Sequence, residues 1–249
     1  MSAAELRPGA RSVVHHIVAY VREPGSAWMK DAPRGQYVRS SESTTAEILA
    51  VYTPGQSPFL APAGMAKKIP AGSDLVLQFH YIAYGKAEKD QTSIGLTFSK
   101  NPPQKRILTL QLNQTSFRVP PGAANHRVSV SATLPNDALL LSLFPQMHQR
   151  GKAFEVDVDA GDGRVETLLR VAPYRFNWQM NYVLAAPRLL KKGTLLRATA
   201  WFDNSSANPW NPDPSREAVS GEQSWAEMMV GFFDVAVDPG LDRAALILR

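Results

Sequence analysis

Five histidines are the residues of this chain best suited to chemistry, and their placement is uneven. His15 and His16 are adjacent within "SVVHHIVAYV", an apolar run of strand character. His80 closes a second such run, "DLVLQFHY". His148 lies in "FPQMHQRGK", where Gln146 stands two residues before it and a turn is expected at Arg150-Gly151. His126 opens a further run after "PPGAAN". Imidazole suits copper, zinc, iron and nickel, and a thioether from methionine favours Cu(I).

A lone histidine in a strand is ordinarily a hydrogen-bonded residue, and His126 is read that way. The adjacent pair is different. Regular pleating sends successive side chains to opposite faces, so one imidazole would enter the core. Both can meet a single metal only if the strand is bulged or twisted there. With His80 on a neighbouring strand, a three-histidine site becomes possible. Gln146 and His148 share a face by their i, i+2 spacing, but one of these two donors is an amide.

Other chemistries find little support. There is no G-x-S-x-G nucleophile elbow, no phosphate loop and no dinucleotide fingerprint. The stretch "DAGDG" lacks the spacing of an EF-hand and reads as a hairpin. The absence of cysteine excludes disulfides, thiolate metal sites and cysteine nucleophiles together.

The elements that must position these residues are strands. Eleven short runs alternate apolar and polar residues, separated by Pro, Gly, Asn and Asp. No window sustains an amphipathic helix, although "SGEQSWAEMM" has room for one turn. In 249 residues with 44% apolar content, this pattern predicts an all-β protein of sandwich architecture. The clearest break is "SKNPPQKR", which predicts two units, residues 1–103 and 104–249.

The net charge of +5 comes from scattered lysines and arginines without interleaved aromatics, so nucleic acid is not expected as a partner. No apolar run approaches the roughly 20 residues of a membrane helix. The N-terminus shows no apolar signal-peptide core.

Taken together, "VVHHIVAY", "LQFHY", "MHQRGK" and "GEQSWAEMM" resemble, in order and spacing, the copper type II, ascorbate-dependent monooxygenases, in particular their bacterial members. That family includes peptidylglycine alpha-hydroxylating and dopamine beta-monooxygenases. The likeness spans about Leu6 to Phe233, and "DNSSANPWNPDP" adds to it.

The resemblance implies two tandem jelly-roll-like β-sandwiches facing across a cleft, each with one copper. His15, His16 and His80 would hold the electron-relaying copper. His148 and Met228 would hold the dioxygen-binding one, with Met228 preferred to Met229. Gln146 occupies the place of the family's other histidine there.

The implied activity is hydroxylation of a substrate C–H bond with dioxygen, with ascorbate as the reductant. The implied setting is periplasmic or secreted. Phe144, Val230 and Phe232 stand where the peptide-amidating branch carries carboxylate-binding side chains. A small substrate without a carboxylate anchor is therefore expected. By this resemblance the chain begins after the family's first strand, which implies a divergent start or a fragment of a longer protein. With an amide at position 146, a non-catalytic copper-binding or electron-transfer protein is the alternative.

Overall fold

A computed structural model describes residues 1–38, 46–161 and 163–246. Apart from one 3₁₀ turn, Arg243–Leu246, the regular structure of these residues is all strand. The chain is an all-β protein of sandwich type. It divides into two compact units, Met1–Ile107 and Leu108–Arg249.

The first unit contains β1 (Ala3–Arg7), β2 (Val14–Arg22), β3 (Glu47–Tyr52), β4 (Phe59–Leu60), β5 (Met65–Ala66), β6 (Asp74–Tyr81) and β7 (Ser93–Thr97). Two three-stranded sheets, in orders β4-β1-β7 and β3-β2-β6, bury a common core. Ala4 and Leu6 contribute from one sheet, and Ile17, Ala19, Val21 and Leu49 from the other. The strand β8 (Lys105–Asn113) carries the chain across the division. Its first residues pair in parallel with β5, Met65 with Lys105 and Ala66 with Arg106. That pairing keeps Lys105 and Arg106 in the first unit.

The second unit continues with β9 (Arg118–Val119), β10 (His126–Thr133), β11 (Ala138–Met147), β12 (Gly151–Asp159) and β13 (Val165–Val171). It ends with β14 (Tyr182–Leu190), β15 (Leu195–Phe202), β16 (Ala218–Val219) and β17 (Met229–Val237). One sheet runs β10-β15-β12-β13, and the other contains β14-β11-β17-β8. Phe154, Val156 and Phe202 from the first meet Leu108, Leu140, Leu143, Met147 and Phe233 from the second. Alternating apolar residues from both inner faces thus form one packed layer, as sheet-on-sheet packing requires.

Two irregularities bear on the candidate site. In β2, Val14 pairs with Tyr81 and His16 with His80, so His15 is an extra residue opposite no partner of its own. In β11, Leu140 pairs with Val235 and Ser142 with Asp234, which makes Leu141 the extra residue. Each is a one-residue β-bulge and reverses the inward–outward phase of the strand beyond it.

All eleven expected runs form strands; β1 and the two-residue strands were not expected, and β14 escaped the pattern because Pro187 interrupts it. The proline is accommodated because β14 is an edge strand with a register break opposite Leu140–Ser142. The turn of helix allowed for in "SGEQSWAEMM" does not form. Turns and an isolated bridge between Ser220 and Glu227 take its place. In "DAGDG", Asp159 Oδ1 accepts the Gly161 N–H at 2.8 Å, and Asp162 lies outside the described residues.

Candidate metal sites

In the first unit, Ile17, Ala19 and Val21 of β2 point into the core with Leu77 and Phe79 of β6. His16 and its partner His80 therefore lie on the opposite face of that sheet. Without the bulge, His15 would project with the core residues. With it, the His15 and His16 Nδ1 atoms approach to 3.0 Å, and their ring centroids are 5.3 Å apart. The His80 ring stacks on His16 at 3.9 Å. Both residues of the pair are buried. The sequence-predicted trio is thus brought together within one unit.

Burial pushes the His80 imidazole below its ordinary value, and the nearby His15 adds to that shift. The ring is therefore neutral at pH 7, the state in which it can bind a metal. Two nitrogens 3.0 Å apart would subtend about 95° at an ion bound through bonds of about 2.05 Å. His80 lies flat on His16, and its ring must turn to aim a nitrogen at the same point. Among the described residues, no three His, Asp or Glu side chains already form a ligand set. The donor chemistry suits copper, and two of the three nitrogens have suitable spacing.

In the second unit, Met147 and Met229 are a cross-strand pair, both wholly buried in the core. Gln146 and Val230 form the next pair and so point to the other face of that sheet. Extending the same register by one residue sets His148 opposite Met228. Phe144 and Phe232 continue this face, with ring centroids 6.0 Å apart. Gln146 therefore shares one sheet face with Val230 and the Phe144–Phe232 pair, and one more residue of the same register would add His148 and Met228 to it. Met229 belongs to the core. A soft thioether and an imidazole fit Cu(I), whereas the Gln146 amide oxygen is a hard donor. His126 stands apart at the start of β10, opposite Phe202.

What fixes the His148 turn was not foreseen. The Gly151 N–H closes the turn onto the His148 carbonyl at 3.0 Å. Any Cβ on Gly151 would lie 2.9 Å from both the Met147 Cβ and the Tyr174 ring, so only glycine fits. The Tyr174 hydroxyl accepts the Met147 N–H at 2.9 Å and donates to the Met147 carbonyl at 3.0 Å. The Phe176 ring meets His148 edge-on at 6.2 Å.

Beneath the turn lies Glu227, with no exposed surface. Its carboxyl accepts the His148 N–H at 3.2 Å and the Arg150 N–H at 2.8 Å. Arg150 Nη1 lies 3.6 Å from the same carboxyl and donates to the Trp225 carbonyl at 2.9 Å. Burial pushes the Glu227 carboxyl up to about 8, against the opposing pull of Arg150 and of the Arg150, His148 and Met228 N–H groups. Arg150 Nε donates to Asn204 Oδ1 at 2.8 Å. Asn204, also without exposed surface, donates to the Val119, Pro120 and Arg216 carbonyls. The one signal available in the sequence was a lone glutamate between apolar neighbours in "WAEMM".

No protein-family model and no curated protein matches this chain. Among solved structures, one of infectious bursal disease virus strain Gt aligns at a TM-score of 0.27 and 12% identity, covering 99% of this chain and 57% of that one. One of strain Gx aligns at 0.26 and 13%, covering 99% and 58%. This chain thus spans less than two thirds of those chains, and likeness at such TM-scores carries no inference about fold or function.

Proposed function

We propose that this chain is a copper-dependent monooxygenase-like protein. His15, His16 and His80 would hold an electron-relaying copper, and His148 and Met228, with Gln146 beside them, a dioxygen-activating one. Copper would supply one-electron chemistry and dioxygen binding, with ascorbate as the reductant. The substrate would be a small molecule with an oxidisable C–H bond. The apolar side chains of Phe144, Val230 and Phe232 favour one without a carboxylate anchor.

The observation that carries this reading is the β2 bulge, which sets two buried imidazole nitrogens 3.0 Å apart and beside His80. A strand needs such an irregularity to bring adjacent histidines to one point. One observation also favours a second reading, a non-catalytic copper-binding or electron-transfer protein. Gln146 stands on the His148–Met228 face where a further soft or borderline donor would be needed to hold Cu(I) firmly.

Copper content, EPR and ascorbate-driven oxygen consumption, measured on the unmodified protein and on Gln146→His, separate the two. Two coppers with oxygen consumption in the unmodified protein support the monooxygenase reading. One copper, rising to two in Gln146→His, supports the second. No copper in either protein overturns both.

A further inference from the structure

The hydrogen bonds around Glu227 converge on the residues proposed to bind the second copper. One carboxyl group accepts the N–H of His148 at the end of β11, and that of Arg150 two residues later. Met228 follows Glu227 directly in the chain, so its backbone is placed along with that of Glu227. The thioether and the imidazole come from different parts of the chain, 80 residues apart in sequence (228 − 148 = 80). Continued ladder pairing does not hold them, because β11 ends at Met147 and β17 begins at Met229. At the point where the backbone ladder stops, Glu227 supplies the acceptors that the ladder would otherwise provide.

The carboxyl group is itself fixed. The Glu227 backbone donates to the Val219 carbonyl and accepts from the Gly221 N–H, both at 2.9 Å. Arg150, which lies against it, is 3% exposed and held by Asn204 and the Trp225 carbonyl. Asn204 joins this cluster to three backbone carbonyls elsewhere in the unit. Each member is buried and multiply bonded, which restricts the network to one arrangement.

We infer that Glu227 is a positioning residue for copper, holding the backbones of His148 and Met228 at the separation their side chains need to share one ion. This inference rests on the copper reading above. Glu227 accepts from backbone N–H groups and lies against the Arg150 guanidinium, and it does not itself bind the metal. In Glu227→Gln an NH₂ group replaces one acceptor oxygen and faces N–H donors, so at least one of these bonds is lost. Loss of an outer hydrogen-bond partner of a metal ligand typically weakens metal binding by about 10- to 100-fold.

The test uses the full chain carrying His80→Ala, so that Cu(I) reports on the second site alone. Cu(I) affinity is measured by competition, and the copper–sulfur contribution by X-ray absorption, with and without Glu227→Gln. Amide hydrogen exchange over residues 147–151 is followed in the metal-free proteins. The expected result is a copper–sulfur signal in the parent, and affinity about 10- to 100-fold lower in Glu227→Gln with that signal diminished. Exchange should quicken at His148 and Arg150 while the circular dichroism is retained.

Equal affinity and an equal sulfur signal in the two proteins overturn the positioning role and leave the copper reading intact. Absence of any sulfur signal in the parent overturns the copper reading, and this inference with it. Should Glu227→Gln fail to fold, Glu227→Asp replaces it. That variant keeps the carboxyl group but is one methylene shorter, and undiminished affinity in it overturns the inference.

Discussion

At the scale of single residues, the two proposed sites differ in how their donors are held. His15, His16 and His80 touch one another directly, and burial with a neighbouring imidazole keeps His80 neutral at pH 7. His80→Ala should therefore abolish copper binding at this site while the fold persists, because a core of this size does not need a metal to form. Collapse of the circular dichroism would instead make His80 a packing residue.

The same histidine predicts a pH effect in the metal-free protein. Its folded-state value lies below the ordinary 6.5, so the unfolded chain binds the proton first. Its contribution is complete above pH 6.5 and is lost as the pH falls through the lower folded-state value. Denaturant midpoints measured from pH 7.5 downward should fall more steeply for the unmodified protein than for His80→Ala. Equal slopes would contradict this.

At the scale of elements, both sites depend on an extra residue in a strand. The bulge at His15 keeps that imidazole beside His16 instead of in line with Ile17 and Ala19. The bulge at Leu141 lets Leu140 and Leu143 both face the core and turns Gln146 and His148 away from it. Inserting one alanine between Leu143 and Phe144 would reverse this alternation, so that Met147 would leave the core and Gln146 and His148 would enter it. Burying such a polar group without partners costs about 1–3 kcal/mol in proteins. The insertion variant should lose several kcal/mol in chemical denaturation. Undiminished stability would show that the strand absorbs the shift elsewhere.

The longer strands were legible from alternation because half-buried strands repeat every two residues. The bulge at His15 was legible only as the condition on which adjacent histidines could meet one metal, and the bulge at Leu141 was not legible. In "ALLLSLF" apolar residues stand on both faces, so no change of phase shows in the composition. Short β4, β5, β9 and β16, of two residues each, carry no periodicity at all.

At the scale of the whole molecule, the two units have separate cores, one holding Ile17, Leu49 and Val21 and the other Phe154, Phe202 and Phe233. Phe154 is fully buried, so Phe154→Ala should destabilise the second unit by roughly 3–5 kcal/mol. Copper binding by His15, His16 and His80 should remain, because those residues lie in the first unit. Calorimetry alongside copper titration of Phe154→Ala checks both expectations. Loss of the three-histidine site in this variant would contradict the separation of the cores.

Local physics, acting through near neighbours in the chain, was enough to establish the all-β class, the eleven main strands and the set of candidate donors. Side-chain periodicity and turn chemistry operate over a few residues, and their traces survive in a linear string. Convergence of the donors is a matter of long-range pairing. His16 meets His80 through cross-strand register, and one extra residue moves a side chain to the other face. The Glu227–Arg150–Asn204 network is of the same kind, joining residues 54 and 77 positions apart. Its energy arises only once burial has removed water from all three, so no local sequence signal announces it.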